Sequence, residues 1–445
     1  MPPCRPPAPA WHTAPVTTTE PSSISITPEQ LPALRRRTTA VLIASQILGG
    51  LGVATGIALA AVLAQEVSGT EALSGLAPTA TVAGTAILSM PLAALMTRRG
   101  RRPGLVLAYA IGALGAGVVV LAASIGNFPL LLIGMAGFGA ASSANLQARF
   151  AAADLAEPQH RARAISNVVW ATTIGAVFGP NIAAPAGRSV SGLGIPEASG
   201  AFLWAAGVFV VSAVLVAVLL RPDPLLAARA LEPEAEGSPQ SRSLRAGLAA
   251  VAASPKARLA LVTVAVSHTA MVSIMSMTPV DLGHHGADID LIGLVISGHI
   301  AGMYAFSPVM GRLSDRLGRL SVIALAVSLL AVAALLAGTA GPNHTQTAIG
   351  LFVLGLGWSA GLVSGSALLT DSVPQPARAA AQGLSDLTMN TAAGLGGAAA
   401  GLIVAQASYG WLNLIAAVLL LPLAALAVLT PLRSRRAKET PDAAN

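Results

Sequence analysis

Three titratable side chains stand deep inside apolar stretches of this sequence, where charge is costly and therefore informative. Asp386 occurs in "QGLSDLTMN", with Gln382 and Asn390 four residues to either side, so a helix would place all three on one face. His268 and His299 each fall about ten residues into an apolar run, about 15 Å deep at the helical rise. A carboxylate or an imidazole so placed can load and release a proton. Plainer roles are also open: Asp386 can be a partner for Arg378 near the surface, and each histidine a neutral hydrogen-bond partner between helices.

A second constellation is "SPVMGRLSDRLGRL", Ser307 to Leu320, which packs Asp315, Arg312, Arg316 and Arg319 between apolar runs. Such charge cannot sit in hydrocarbon, so the stretch belongs at a turn outside it. Gly311 and Gly318 allow close approach and a sharp return of the chain. Asp315 can accept hydrogen bonds from a helix N-terminus or pair with arginine. Two uses fit these residues, an ion-pair latch or a basic anchor at the membrane surface.

The elements that must carry these groups follow from composition. Of 445 residues 54% are apolar and only 10% charged, with a mean hydropathy of +0.71, outside globular usage. Apolar runs fall at about 38–64, 76–96, 104–124, 128–148, 164–186, 200–220, 258–280, 289–310, 320–339, 346–369, 381–406 and 411–431. Each is long enough to cross about 30 Å of hydrocarbon, and only a helix satisfies its backbone there. The expected fold is an all-α membrane protein with twelve transmembrane helices.

With the N-terminus in the cytoplasm, 25 of the 26 basic residues fall on that side and only Arg188 on the other. That asymmetry favours an even number of spans with both termini cytoplasmic. Asp281 and Asp371 sit at span ends and read as solvated. Residues 1–34 read as a disordered cytoplasmic tail, 35–220 and 258–432 as two six-helix bundles, 221–257 as a polar cytoplasmic linker, and 433–445 as a second tail. The single cysteine, Cys4, excludes an intramolecular disulfide, and adjacent His284 and His285 suit one metal ion poorly, so no metal is expected.

The two bundles repeat each other. At an offset of 218, "AALMTRRGRR" (Ala93 to Arg102) aligns with "GRLSDRLGRL" (Gly311 to Leu320), and "PQHRARA" aligns with "PQPARAA" at nearly the same offset. Such internal repeats are typical of secondary transporters. Gly311-x-x-x-Asp315-Arg316-x-Gly318-Arg319 resembles the signature loop of the major facilitator superfamily over about residues 35–432. The resemblance implies two pseudo-symmetric six-helix bundles, a loop that latches the cytoplasmic side, and a central cavity lined by spans 1, 4, 7 and 10. Its candidate cavity residues are Gln46, Asn145, Gln147, His268, Met271, Met275 and Trp358. The N-terminal copy departs from the signature, with Thr97 at the acidic and Ala93 at the glycine position, and reads better as a basic anchor. In span 5, Gly175-x-x-x-Gly179-Pro180 resembles a motif of drug/proton antiporters in that superfamily, although close helix packing explains the same residues.

The implied function is secondary active transport of a small amphipathic or aromatic solute across the cell membrane, proton-coupled, by efflux or alternatively by uptake of a nutrient or vitamin. A non-transporting membrane sensor is the reading from another class, and it would favour a large soluble domain that is not apparent. No phosphate-binding Gly-rich loop with its Lys is seen, so an ion gradient is the expected drive. No enzyme activity, cofactor or nucleic-acid partner is expected, and a monomer in the lipid bilayer is.

Overall fold

The computed structural model describes residues 27, 29–70, 73, 76–190, 192, 194–231, 244–287 and 289–424, which form fifteen α-helices, short 3-10 turns and no strand. The first half holds α1 (Leu31–Ser68), α2 (Leu76–Arg99), α3 (Arg101–Ile125), α4 (Phe128–Asp154), α5 (Arg161–Ser189) and α6 (Glu197–Leu219). Between the halves lie α7 (Pro224–Leu231) and α8 (Leu244–Ala253). The second half holds α9 (Pro255–His284), α10 (Ile289–Tyr304), α11 (Ser307–Leu317), α12 (Arg319–Gly338), α13 (His344–Ser372), α14 (Arg378–Gln406) and α15 (Tyr409–Leu419).

Among the described residues, ten helical stretches are long and apolar enough to cross a membrane. The remaining two spans are α5, which carries Asn167, Thr172, Thr173 and Asn181, and α15, whose apolar stretch is described as far as Ala424. Span 8 differs from its expected form: it breaks at Ala305–Phe306 into α10 and α11, where Pro308 occupies the first turn of α11. The helix then runs on to Leu317, so Gly311 and Asp315 are helical and not in a loop. Only Gly318 turns the chain, at φ 89°. Its repeat partner Gly100 does the same between α2 and α3, at φ 93°, a conformation open chiefly to glycine.

The repeat also shows in the caps. Asn127 accepts the Leu130 amide at the start of α4, and Asn343 accepts the Gln346 amide at the start of α13, each relieving one orphan donor of a helix start. In the first half a ring cluster fills the core, with Phe138 packed against Phe202 at 5.5 Å and Phe209 at 5.3 Å between centroids.

The segment expected as a plain polar linker contains the two short helices, each fixed to a different half. Arg229 of α7 donates to the Thr97 carbonyl at 2.9 Å, and Asp223 accepts the amides of Arg102 at 2.6 Å and of Leu225 at 3.0 Å. Burial pushes the Asp223 carboxyl above the usual carboxylate range, against the pull of the Arg102, Leu226 and Arg101 amides. α8 packs on α14, so closely that a Cβ on Gly247 would lie 2.5 Å from the Ala380 Cβ. Residues 232–243 between them, residues 1–26 of the expected tail and everything after 424 lie outside the described residues. The expected tail boundary at 34 also moves: α1 begins at Leu31, and Leu34 is buried with Leu155, Ala227 and Ala228.

Candidate functional site

A cavity of about 530 Å³ lies between the two halves. From the first half it is walled by Gln46 and Ile57 of α1, Thr81 of α2, Asn145 and Arg149 of α4 and Thr172 of α5. From the second half come His268 and Met275 of α9, Tyr304 of α10, Trp358 of α13, and Met389 and Asn390 of α14. Elements α1, α4, α9 and α13 are spans 1, 4, 7 and 10, so Gln46, Asn145, His268, Met275 and Trp358 meet in one space.

Their polar atoms are largely engaged with one another. Gln46 donates through Nε2 to Thr172 Oγ1 at 2.8 Å, leaving its Oε1 without a partner, and Tyr109 donates to Asn145 Oδ1 at 2.9 Å. Trp358 donates its indole N–H to His268 Nδ1 at 2.8 Å, which requires that nitrogen to be unprotonated. The Tyr304 ring meets Trp358 edge-on, with centroids 5.4 Å apart, a favourable quadrupole arrangement. The result is an aromatic wall in the second half facing an amide-lined wall in the first.

Other candidates lie elsewhere. Met271 is packed in a buried apolar cluster drawn mostly from the second half and does not line the cavity. His299 is fully buried, with Nδ1 donating to the Leu351 carbonyl of α13 at 2.8 Å, an interhelical hydrogen bond. Gly175 and Gly179 form the seam of α5 with α1: a Cβ on Gly175 would come within 2.5 Å of the Gly50 carbonyl carbon, and one on Gly179 within 2.4 Å of the Ala54 Cβ. Pro180 follows them in α5.

Behind the arginine-rich end of the cavity lies a buried charge network. Arg101 holds Asp154 with a two-pronged contact, Nε to Oδ2 at 2.8 Å and Nη2 to Oδ1 at 3.2 Å. It also donates to Gln147 Oε1 at 3.0 Å and to Gln382 of the opposite half. Gln147 in turn donates to Asp386 Oδ2 at 2.7 Å, and Arg149 Nη2 reaches Asp386 Oδ1 at 2.6 Å. The stripe of Gln382, Asp386 and Asn390 therefore divides: the first two are tied into the network, and Asn390 reaches the cavity while donating to the Asp386 carbonyl at 2.8 Å. The partner of Asp386 is Arg149, not Arg378, which contacts the Val373 carbonyl.

Nearer the surface at the arginine-rich end, α5 begins against α11. Asp315 accepts the amides of Ala162 at 3.2 Å and Arg163 at 3.0 Å, setting a carboxylate on the positive end of the α5 dipole. Arg319 binds Asp315 at 2.5 Å, Asp371 at 3.2 Å and the Pro158 carbonyl at 2.6 Å, while Arg161 crosses from the first half to Asp371 at 2.6 Å. Asp371, expected to be simply solvated, is thus shared by an arginine from each half. Arg316 is exposed.

Reading the sequence missed Arg101, Arg149 and Asp154, counting the two arginines as loop charges. Arg101 is fully buried and Arg149 is 2% exposed. A signal was present: "FAAAD" after Arg149 continues the apolar run, so the helix outlasts the arginine by a turn and more.

Two helical bundles with internal repeat symmetry, a cavity at their interface and a charged seam at one end define a membrane carrier of the alternating-access type. The chain matches the profile described as "Major Facilitator Superfamily" over residues 41–285 and again over 259–445, and it belongs to that superfamily. It is 39% identical over 393 residues, 88% of this chain and 91% of the other, to "Uncharacterized MFS-type transporter YdeG" of Bacillus subtilis (strain 168). To "Riboflavin transporter RfnT" of Brucella anthropi it is 30% identical over 358 residues, 80% of this chain and 85% of the other. Among solved structures, FucP in its outward conformation superposes with a TM-score of 0.68 at 16% identity, covering 89% of this chain and 98% of that one. At that identity the likeness is one of fold.

Proposed function

We propose that this protein moves a small amphipathic or aromatic organic solute across the cell membrane by alternating access, with H⁺ as coupling ion and the arginine-rich end in the cytoplasm. The observation that carries the reading is the interfacial cavity, roomy enough for a small organic molecule, with its wall of Trp358, Tyr304 and His268 and its inner end closed by ties between the halves. In this reading Asp315, Gly318 and Arg319 are the gate, and opening of the inner end requires Asp315 to leave the α5 N-terminus. Efflux is favoured by the likeness of Gly175, Gly179 and Pro180 to the antiporter pattern. Uptake is the second reading, favoured by the relative named as a riboflavin transporter.

Two experiments test it. In a Cys4→Ser background, Gly192→Cys is expected to react with a membrane-impermeant maleimide on intact cells and His160→Cys only after permeabilisation; the reverse pattern rejects the orientation. In proteoliposomes, a pH gradient is expected to drive solute movement, and Asp386→Asn or His268→Ala is expected to uncouple it. If both variants keep gradient-driven accumulation, neither residue carries the coupling proton.

A further inference from the structure

Among the described residues lining the cavity, Arg149 is the one lysine or arginine, and no aspartate or glutamate accompanies it. Its side chain is 2% exposed, one terminal nitrogen is held by Asp386, and its Nε has no hydrogen-bond partner. A guanidinium buried with an unmet donor is a receptor for a planar anion, since unsatisfied donors at depth are costly and its fork matches a carboxylate. Asp386 itself is fully buried, belongs to the opposite half and does not line the cavity. Trp358 and Tyr304 supply aromatic surface in the same space.

We propose that the solute is an organic monoanion, an aromatic or similarly apolar carboxylate, whose charged group takes Arg149 from Asp386. On this account Asp386 is a placeholder that satisfies Arg149 while the cavity is empty of solute. The inference rests on the carrier reading above and gives it a substrate class.

Charge balance then fixes the proton. Asp386 bonds to Arg149 and Gln147, and one step further stand Asp154 on α4, Arg101 on α3 and Gln382 on its own helix, while Tyr304 and His268 line the cavity beside Arg149. Arg101 and Arg149 offset Asp154 and Asp386, and His268 accepts the Trp358 N–H in its neutral form, so the set is neutral. An arriving monoanion leaves it one charge negative in a low-dielectric interior, which is unfavourable. One proton added to an Asp386 carboxylate oxygen from cavity water restores neutrality, and no other bond forms or breaks. Solute and proton therefore share one loaded state and move together without net charge. Under an inward proton gradient that direction is uptake, so the inference sides with the second of the two directions given above and against efflux. Loading also cuts the Arg149–Asp386 tie between the halves, linking solute binding to opening of the inner end.

The test uses the full chain in lipid nanodiscs, with acid and amide pairs of one shape: benzoate and benzamide, 1-naphthoate and 1-naphthamide, indole-3-acetate and its amide, plus riboflavin. The expected result is a shift in thermal unfolding temperature with at least one acid and with none of the amides. Asp386→Asn frees Arg149 and is expected to tighten acid binding about tenfold, as the release of about 1.4 kcal/mol of competition would, and to remove its pH dependence. Arg149→Gln/Asp386→Asn, which leaves no unpaired charge behind, is expected to fold and to lose the acid response. In proteoliposomes the responding acid should accumulate with a pH gradient and not with a membrane potential alone. Acid binding that survives in the double variant, equal responses to acid and amide, or accumulation driven by potential alone would overturn the proposal. A response to amides or riboflavin and not to acids would reject the anion and leave the carrier reading standing. No response or movement with any of these solutes would count against both.

Discussion

Gly311→Ala is expected to cut transport about tenfold or more, and Ser166→Gly added to it is expected to restore most of the loss. A Cβ on Gly311 would lie 2.1 Å from Ser166 Oγ and 2.9 Å from the Ala162 carbonyl oxygen, where α11 meets α5. Overpacking at such a contact costs about 1–3 kcal/mol, charged against the closed inner end alone because the contact joins the two halves. At 1.4 kcal/mol per factor of ten, the balance between closed and open inner end moves by about one power of ten or more. The rescue is already built into the molecule. At the repeat-related seam the motif position is Ala93, and the facing helix α14 supplies the gap with Gly383, whose own Cβ would fall 2.2 Å from that of Ala93. Each seam thus has one glycine, on opposite partners. Initial transport rates in vesicles, with maleimide access to His160→Cys as a gauge of the inner end, measure both variants. A double variant as impaired as Gly311→Ala would show that the contact does not set the balance.

Removing Arg101 is expected to be the most destabilising single change. Arg101→Met leaves Asp154 charged, buried and deprived of both hydrogen bonds from its partner, a loss of about 3–5 kcal/mol where one member of a buried pair is deleted. Arg101→Met/Asp154→Asn removes the stranded charge and is expected to recover half or more of that loss, because replacing both members of such a pair is often near neutral. Thermal unfolding of the detergent-purified variants reads the difference. Equal unfolding temperatures for the single and double variants would show that the pair contributes nothing.

Much of the architecture was legible because lipid imposes few solutions. Twelve apolar runs, a common offset of 218 and arginines biased to one side required no knowledge of packing. The spacing of Gln382, Asp386 and Asn390 announced a polar face, and Gly318 announced the turn, although Gly311 and Asp315, expected in the same loop, are helical. What stayed hidden depends on which helices touch. Asp386 and Arg149 are separated by 237 positions and belong to different halves, so no local pattern pairs them. Arg149 lies near a helix end, where hydropathy grades smoothly and an arginine one turn inside looks like one just outside. Asp371 was read from its place at a span end, which says nothing of Arg161 arriving from the other half. His299 and Met271 show the converse: depth and residue type suggest a site, whereas His299 bonds to the Leu351 carbonyl and Met271 lies in a buried apolar cluster, the plainer of the two roles open to each.

The two lines along which the halves are joined differ in their access to water. On one, between α5 and α11–α13, Asp371 keeps a quarter of its side-chain surface exposed and Arg319 about a tenth. On the other, where α14 meets α2 and α4, the side chains of Arg149 and Asp386 are 2% and 1% exposed. Dissolved salt weakens the first kind of bond and scarcely reaches the second. The molecule is therefore a clasp with a wet side and a dry side: ionic strength at the arginine-rich face is expected to bear on the wet side alone, and on the proposal above the dry side gives way to a solute arriving from within.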